Sequence, residues 1–230
     1  MIQTIDVDSL SVWATEKDRQ PARDIQMVIQ SNAGEICESL KTRCRFPVVV
    51  ELYPDQASFD EHVMNPDMRG FFAISGPPYT IQIVSPANPA PHDISYEDGV
   101  LVAVHEFTHL ALDEINLAIP TWLDEGTAIR VGPHAPYTTV CQERFPFEYI
   151  PSFPQLEEDY NGVPVPDLFA YTAVDFIVHE YGMEKLNLLL RTPQDMEDVL
   201  EVTNETFEEN WQDFIRTQCH NNQTKGSNEP

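Results

Sequence analysis

The hydrophobic and polar positions fall into recognisable periods along most of the chain. Apolar residues recur at helical spacing from Pro21 to Leu40 (Ile25, Val28 or Ile29, Ile36, Leu40), with Gly34 as a weak point. The run Phe46 to Tyr53 is Val-rich and closes on Tyr53-Pro54-Asp55, the pattern of a strand ending in a turn. Asp55 to Met64 reads as a short amphipathic helix opened by Asp55 and stopped before Pro66. Gly70 to Ser75 and Tyr79 to Val84 read as a hairpin-like pair of strands around Gly76-Pro77-Pro78. Met1 to Leu10 alternates weakly, as an edge strand or a loose arm.

A long apolar stretch follows the Pro-rich loop Ser85 to Pro91. Ser95-Tyr96-Glu97-Asp98 has the form of a capping box, and Val100 to Val104 and Leu110 to Leu112 continue it as one buried helix. Pro120 breaks the next segment, and Thr121 can N-cap a second helix with Asp124 completing a box. That helix fades near Gly132-Pro133. From His134 to Pro166 the chain is rich in Pro, aromatics and acids and has few periodic signals. Asp167 to Tyr181 is the next strong helix, closed by Gly182, with Phe169, Ala173, Phe176, Ile177 and Tyr181 as its buried stripe. Shorter helices follow at Glu184 to Leu190 and Pro193 to Leu200. A last one, Thr206 to Gln218, has Thr206 and Glu209 as a capping box and Phe207, Trp211, Phe214 and Ile215 as its apolar face. His220 to Pro230 is a polar tail.

Inside the most apolar helix lies His105-Glu106-Phe107-Thr108-His109, an H-E-x-x-H pattern. At about 100° per residue, His109 stands about 40° round from His105 and Glu106 about 100° round, so all three share one side. Two neutral imidazoles suit zinc, and a neighbouring carboxylate can take a proton from water that the ion polarises. Two His and a Glu in so apolar a helix are costly without partners, which a metal supplies. A third ligand is sought in Thr121-Trp122-Leu123-Asp124-Glu125-Gly126. Asp124 and Glu125 point about 100° apart, so one of them at most faces the metal.

His-Glu-Phe-Thr-His followed by Pro-Thr-Trp-Leu-Asp-Glu-Gly resembles the gluzincin metallopeptidases, in particular the small peptidase MA-like domains. The resemblance implies His105, His109 and Glu125 as ligands of one Zn2+ per chain and Glu106 as general base. It implies an α+β, zincin-like fold, with a small sheet and the active helix in an N-terminal lobe (1–112), a mainly helical C-terminal lobe (113–220) and a polar tail (221–230). It also implies that the strand before the active helix, Thr80, Ile81, Gln82, Ile83 and Val84, is a sheet edge that pairs with substrate backbone. An exposed edge does offer unpaired N–H and C=O groups to an extended peptide; an ordinary covered strand is the alternative. Tyr171, which opens the helix ending in Tyr181-Gly182, is the implied donor to a developing oxyanion, with His179 and His134 as rivals and Tyr137 also able to reach the cleft. A metzincin would need Gly and His where Leu112 and Ile115 stand, so that class is excluded.

Two departures matter. Larger relatives carry an Asp one turn after the ligand Glu, where this chain has Ile129. A G-x-M-E-N aminopeptidase motif is lacking, which leans the reading towards an endopeptidase. The expected function is therefore zinc-dependent peptide-bond hydrolysis. The alternatives are a zinc-containing binding module that keeps the metal and the groove but cleaves nothing, and a structural zinc protein whose fourth metal position is closed by a residue such as His134 or Cys141.

Charge and cysteine content narrow the partners. With 38 acidic against 13 basic residues in 230, the net charge is −25, which argues against nucleic acid and anionic membranes. No apolar run has membrane-spanning length. Met1 to Leu10 shows no basic n-region and no h-region, so the expected location is cytoplasmic, or secreted with a leader removed. Four cysteines without a C-x-x-C pair argue against a zinc ribbon. Cys37 and Cys44 are either free thiols or a bridge; a helix running through both would hold their Cα atoms about 10 Å apart and forbid pairing.

Overall fold

A computed structural model describes residues 2–7, 10–44, 47–63, 66–88, 94–133 and 149–226. The chain divides into two compact units, Met1–Glu114 with Val131–His134, and Ile115–Arg130 with Ala135–Pro230. The fold is mixed α+β with mostly helical content.

The first unit is built on a five-stranded sheet: β1 (Ile2–Val7), β2 (Leu10–Ala14), β3 (Val48–Tyr53), β4 (Ala73–Gly76) and β5 (Thr80–Val84), in the order β1-β2-β3-β5-β4. β2, β3 and β5 run parallel, while β1 and β4 join antiparallel at the two sides. Period-2 alternation decides the faces. Val12, Val50, Leu52, Ile81 and Ile83 are fully buried. Tyr53, Ile74 and Val84 pack with Phe59 and Val63, which α2 (Gln56–His62) and its C-terminal boundary supply. Asp55 starts α2 as expected, its carboxylate accepting the Ser58 N–H at 2.8 Å. β2 lies beyond the N-terminal arm read from the sequence, although Leu10 to Ala14 alternates buried with more exposed positions.

The expectation that Thr80, Ile81, Gln82, Ile83 and Val84 form a sheet edge is corrected here. β5 is bonded on both sides, parallel to β3 and antiparallel to β4, and all five residues are buried. Its backbone groups are spent in the sheet, so it cannot pair with a peptide. Gln82 instead donates from its amide nitrogen to Glu51 Oε2 (2.7 Å) and Tyr53 Oη (2.9 Å).

α1 (Arg19–Ser39) packs on β2 and ends in a motif that settles the cysteine question. Lys41 takes a left-handed conformation (φ 52°), the Thr42 N–H donates to Cys37 O (3.0 Å) and the Lys41 N–H to Glu38 O (3.1 Å). This is a Schellman ending. It turns the chain back before Cys44, brings the two Cα atoms to 6.0 Å, and Cys37 and Cys44 form a disulfide.

α3 (Tyr96–Ile115) completes the unit. Ser95 caps it as read from the sequence: its hydroxyl accepts the Asp98 N–H (3.0 Å) and donates to the Asp98 carboxylate (2.8 Å). The far end is held by the disulfide loop, since Glu114 Oε2 accepts from the Thr42 hydroxyl and the Cys44 N–H (2.9 Å). At its start, Tyr96 donates to Asp24 Oδ2 on α1 (2.6 Å).

The second unit is helical: α4 (Thr121–Val131), α5 (Phe153–Glu158), α6 (Pro166–Arg191), α7 (Met196–Leu200) and α8 (Asn204–Gly226). Its core is aromatic. Trp122, Phe153, Phe169, Phe207 and Trp211 are buried, with Trp122 and Phe153 edge-to-face at 5.1 Å and Phe153 and Phe207 at 5.0 Å. Removing a ring of this kind costs about 3–5 kcal/mol. The buried Trp211 indole keeps a hydrogen bond there, its Nε1 donating to Thr172 Oγ1 at 3.1 Å. α6 breaks at Gly182 (φ 84°, ψ 164°), the glycine read from sequence as a helix end, and resumes immediately.

Three caps differ from the sequence reading. α4 begins one residue early, because Pro120 O accepts the N–H groups of Leu123 and Asp124, so Thr121 lies inside the helix. α8 is capped by Thr203, whose hydroxyl accepts the Thr206 N–H (3.2 Å), three residues before the expected box. α5 has a full capping box of Ser152 and Gln155 within a stretch that shows little periodicity. No helix among the described residues is long and apolar enough to cross a membrane.

Candidate metal centre

α3 has a reason to be rigid where its polar residues sit. Ala103, Val104, Phe107, Leu110, Ala111 and Leu112 are buried around His105 and His109, and Thr108 donates back to Val104 O (2.9 Å). The two imidazoles, one helical turn apart, are half-buried and face one another. Their Nε2 atoms are 3.0 Å apart and the rings meet edge to face at 88°. Glu106, between them in sequence, is 7% exposed.

Glu125 joins this pair. His105, His109 and Glu125 each offer one ligand atom, and the three atoms lie within 4.8 Å of one another. It is the one group of three or more His, Cys, Asp or Glu among the described residues with that geometry. Asp124, the rival third ligand, is not a member.

Glu125 owes its place to the residues beside it. Trp122 is sunk into the aromatic core one turn earlier. Gly126 lies against α6 so closely that a Cβ there would stand 2.3 Å from Ala170 O and 2.7 Å from Val174 Cγ2. One turn further on, Arg130 Nε donates to Asp175 Oδ1 at 2.8 Å. Ile129, one turn after Glu125, is buried.

Tyr171 is half-buried on α6, one turn from Asp175. Burial, and then the charge of Asp175, push its phenol pKa up, against a smaller downward pull from Arg130. His179 is exposed, and its Nδ1 lies 2.7 Å from the Glu180 carboxylate. His134, Tyr137 and Cys141 lie outside the described residues.

Sequence reasoning did not pick out the contact between Gly126 and Ala170 or the Arg130–Asp175 pair. The signal for the first was present, as a glycine inside a helical run usually marks a close approach or a cap. No family model matches the chain, and no curated protein sequence matches it.

Proposed function

We propose that the chain is a zinc-dependent peptidase of gluzincin type with a zincin-like fold. The observation that carries this reading is the convergence of His105, His109 and Glu125 on one point.

The donor set fits zinc. Two imidazole nitrogens and one carboxylate oxygen are the ligands of a catalytic rather than a structural site, which leaves a fourth position for water or substrate. A tetrahedral ion with bonds of about 2.0–2.2 Å sets its donors about 3.3–3.6 Å apart. The His105–His109 separation of 3.0 Å is a little short of that spacing, and all three donor atoms lie within 4.8 Å of one another. Side-chain movements of about 1 Å close the difference between these distances and the spacing an ion requires.

Bound there, zinc would supply Lewis acidity, polarising a scissile carbonyl and acidifying water. The remaining work falls to the chain. His105 and His109 hold position because α3 is buried along its other faces. Glu106, buried beside His105, accepts the proton of the attacking water and delivers it to the leaving amine. Tyr171, whose phenol is protonated at neutral pH as any tyrosine's is, is the candidate donor to the negative oxygen of the tetrahedral intermediate. β1 and β4 are the outer strands of the sheet among the described residues, and β4 is the one beside β5. An extended peptide that pairs with this side of the sheet does so along Ala73–Gly76 rather than along β5. The lack of an aminopeptidase motif favours endopeptidase action over aminopeptidase action.

The test is digestion of an unbiased peptide library by wild type, by Glu106→Gln, and by wild type with a chelator. Cleavage by wild type alone supports the proposal. Zinc bound at one per chain with no cleavage of any peptide would leave a silent binding domain, and cleavage by Glu106→Gln would remove the proposed base.

A further inference from the structure

α4 carries the third donor, yet the contacts that fix α4 lie on another of its faces. Gly126 and Arg130 are one turn apart, so they share a side and stand about 6 Å apart along the axis. Gly126 sits on the backbone of Ala170 and on Val174; Arg130 binds Asp175. Two attachments spaced along one face define both the distance of α4 from α6 and its rotation. Glu125 projects about 100° round from Gly126, so its direction follows from that rotation. An Asp one turn beyond the ligand, which could orient the centre directly, is lacking; Ile129 is there instead.

Resting on the metal-centre reading, we infer that the Arg130–Asp175 ion pair is a positioning device for that centre: it sets the rotation of α4 on α6 and thereby aims the Glu125 carboxylate. Arg130 and Asp175 are positioning residues, not catalytic ones. The pair is about one third exposed at both ends, and such pairs contribute little to stability. This separates the two roles. A merely structural pair would leave metal binding untouched when it is lost. A positioning pair weakens metal binding while the apo protein melts at nearly the same temperature. Tyr171, one turn before Asp175 on α6, lies in the field of both charges.

The experiment measures three quantities on the full chain: zinc affinity by competition with a chromophoric chelator, the visible spectrum of the cobalt(II)-loaded protein, and the thermal midpoint without metal. For Arg130→Ala and Asp175→Asn, zinc affinity falls on the order of tenfold, as for other groups that orient metal ligands. The cobalt bands shift, and the apo midpoint stays within a few degrees of wild type. The charge swap Arg130→Asp with Asp175→Arg restores much of the affinity. Unchanged affinity and spectrum in both single variants overturn the inference, as does a swap that is no better than the singles. Glu125→Ala separates this from failure of the site itself. If Glu125→Ala loses zinc while Arg130→Ala does not, the positioning claim alone is wrong. If Glu125→Ala binds zinc as wild type does, the metal-centre reading fails and the inference with it.

Discussion

Replacing Gly126 by Ala tests how α4 is held. The added Cβ would meet Ala170 O at 2.3 Å, Ala170 C at 2.6 Å and Val174 Cγ2 at 2.7 Å. An ordinary carbon-to-oxygen contact is about 3.3 Å, so the deficit is about 1 Å. Two of the three atoms belong to the backbone in the second turn of α6, which cannot yield without disturbing helical hydrogen bonds. α4 must back away. In an unobstructed helix the substitution gains up to about 1 kcal/mol, whereas forced overpacking costs about 1–3 kcal/mol or more. The net expectation is destabilisation by about 1–2 kcal/mol. The displacement also carries Glu125 about 1 Å from its place, enough to cost on the order of a hundredfold in turnover. Gly34→Ala is the internal control, because Gly34 lies in α1 with nothing within 4 Å of the point where the added methyl would stand; it should raise the thermal midpoint. Thermal unfolding of the two apo variants reads the first effect, and chelator competition for zinc with the rate of peptide cleavage reads the second. A Gly126→Ala protein as stable as Gly34→Ala, with wild-type zinc affinity, would refute the reasoning.

The other predictions concern the ligands and the start of α3. His105→Ala should purify without stoichiometric zinc by elemental analysis, and wild type stripped by a chelator should melt lower than the zinc-loaded form, because an ion that binds only the folded state stabilises it by mass action. Burial, and then the hydrogen bond to Asp24, push the Tyr96 phenol up to about 12. Its folded pKa thus exceeds the unfolded value of about 10, so the contribution is whole below about pH 10 and disappears as pH rises through about 12. Unfolding midpoints measured from about pH 9 upward should fall less steeply for Tyr96→Phe than for wild type, and identical slopes would count against the Tyr96–Asp24 bond.

Local signals carried much of the fold into view. The Ser95 cap, the apolar run behind it and the four-residue spacing of His105 and His109 define α3 without any tertiary information. Asp55 opening α2 and the turn between β4 and β5 are equally local. What could not be read depends on partners far away in sequence. The run Thr80 to Val84, with Gln82 between two isoleucines, fits an edge and an interior strand alike; its place inside the sheet comes from β3, earlier in the chain, and from β4. Gln82 interrupts the run as an outward-facing polar residue would, and it is buried with Glu51 and Tyr53 accepting from its amide nitrogen, partners the local pattern does not show. The caps slipped because Pro120 and Thr203 are each followed by a second plausible capping residue. At the candidate centre the three donors were named from motif spacing and resemblance, while the Arg130–Asp175 pair, 45 residues apart, leaves no trace in either local pattern.

The ring closed by Cys37 and Cys44 has a mechanical consequence. Its members Thr42 and Cys44 grip Glu114, about 7.5 Å beyond His109 along the helix. A helix is stiff over that length, so what holds its tip also holds the stretch of backbone that carries both imidazoles. A thiol reductant that opens the ring therefore slackens the tether at one end of α3 and reaches the histidines without ever touching them.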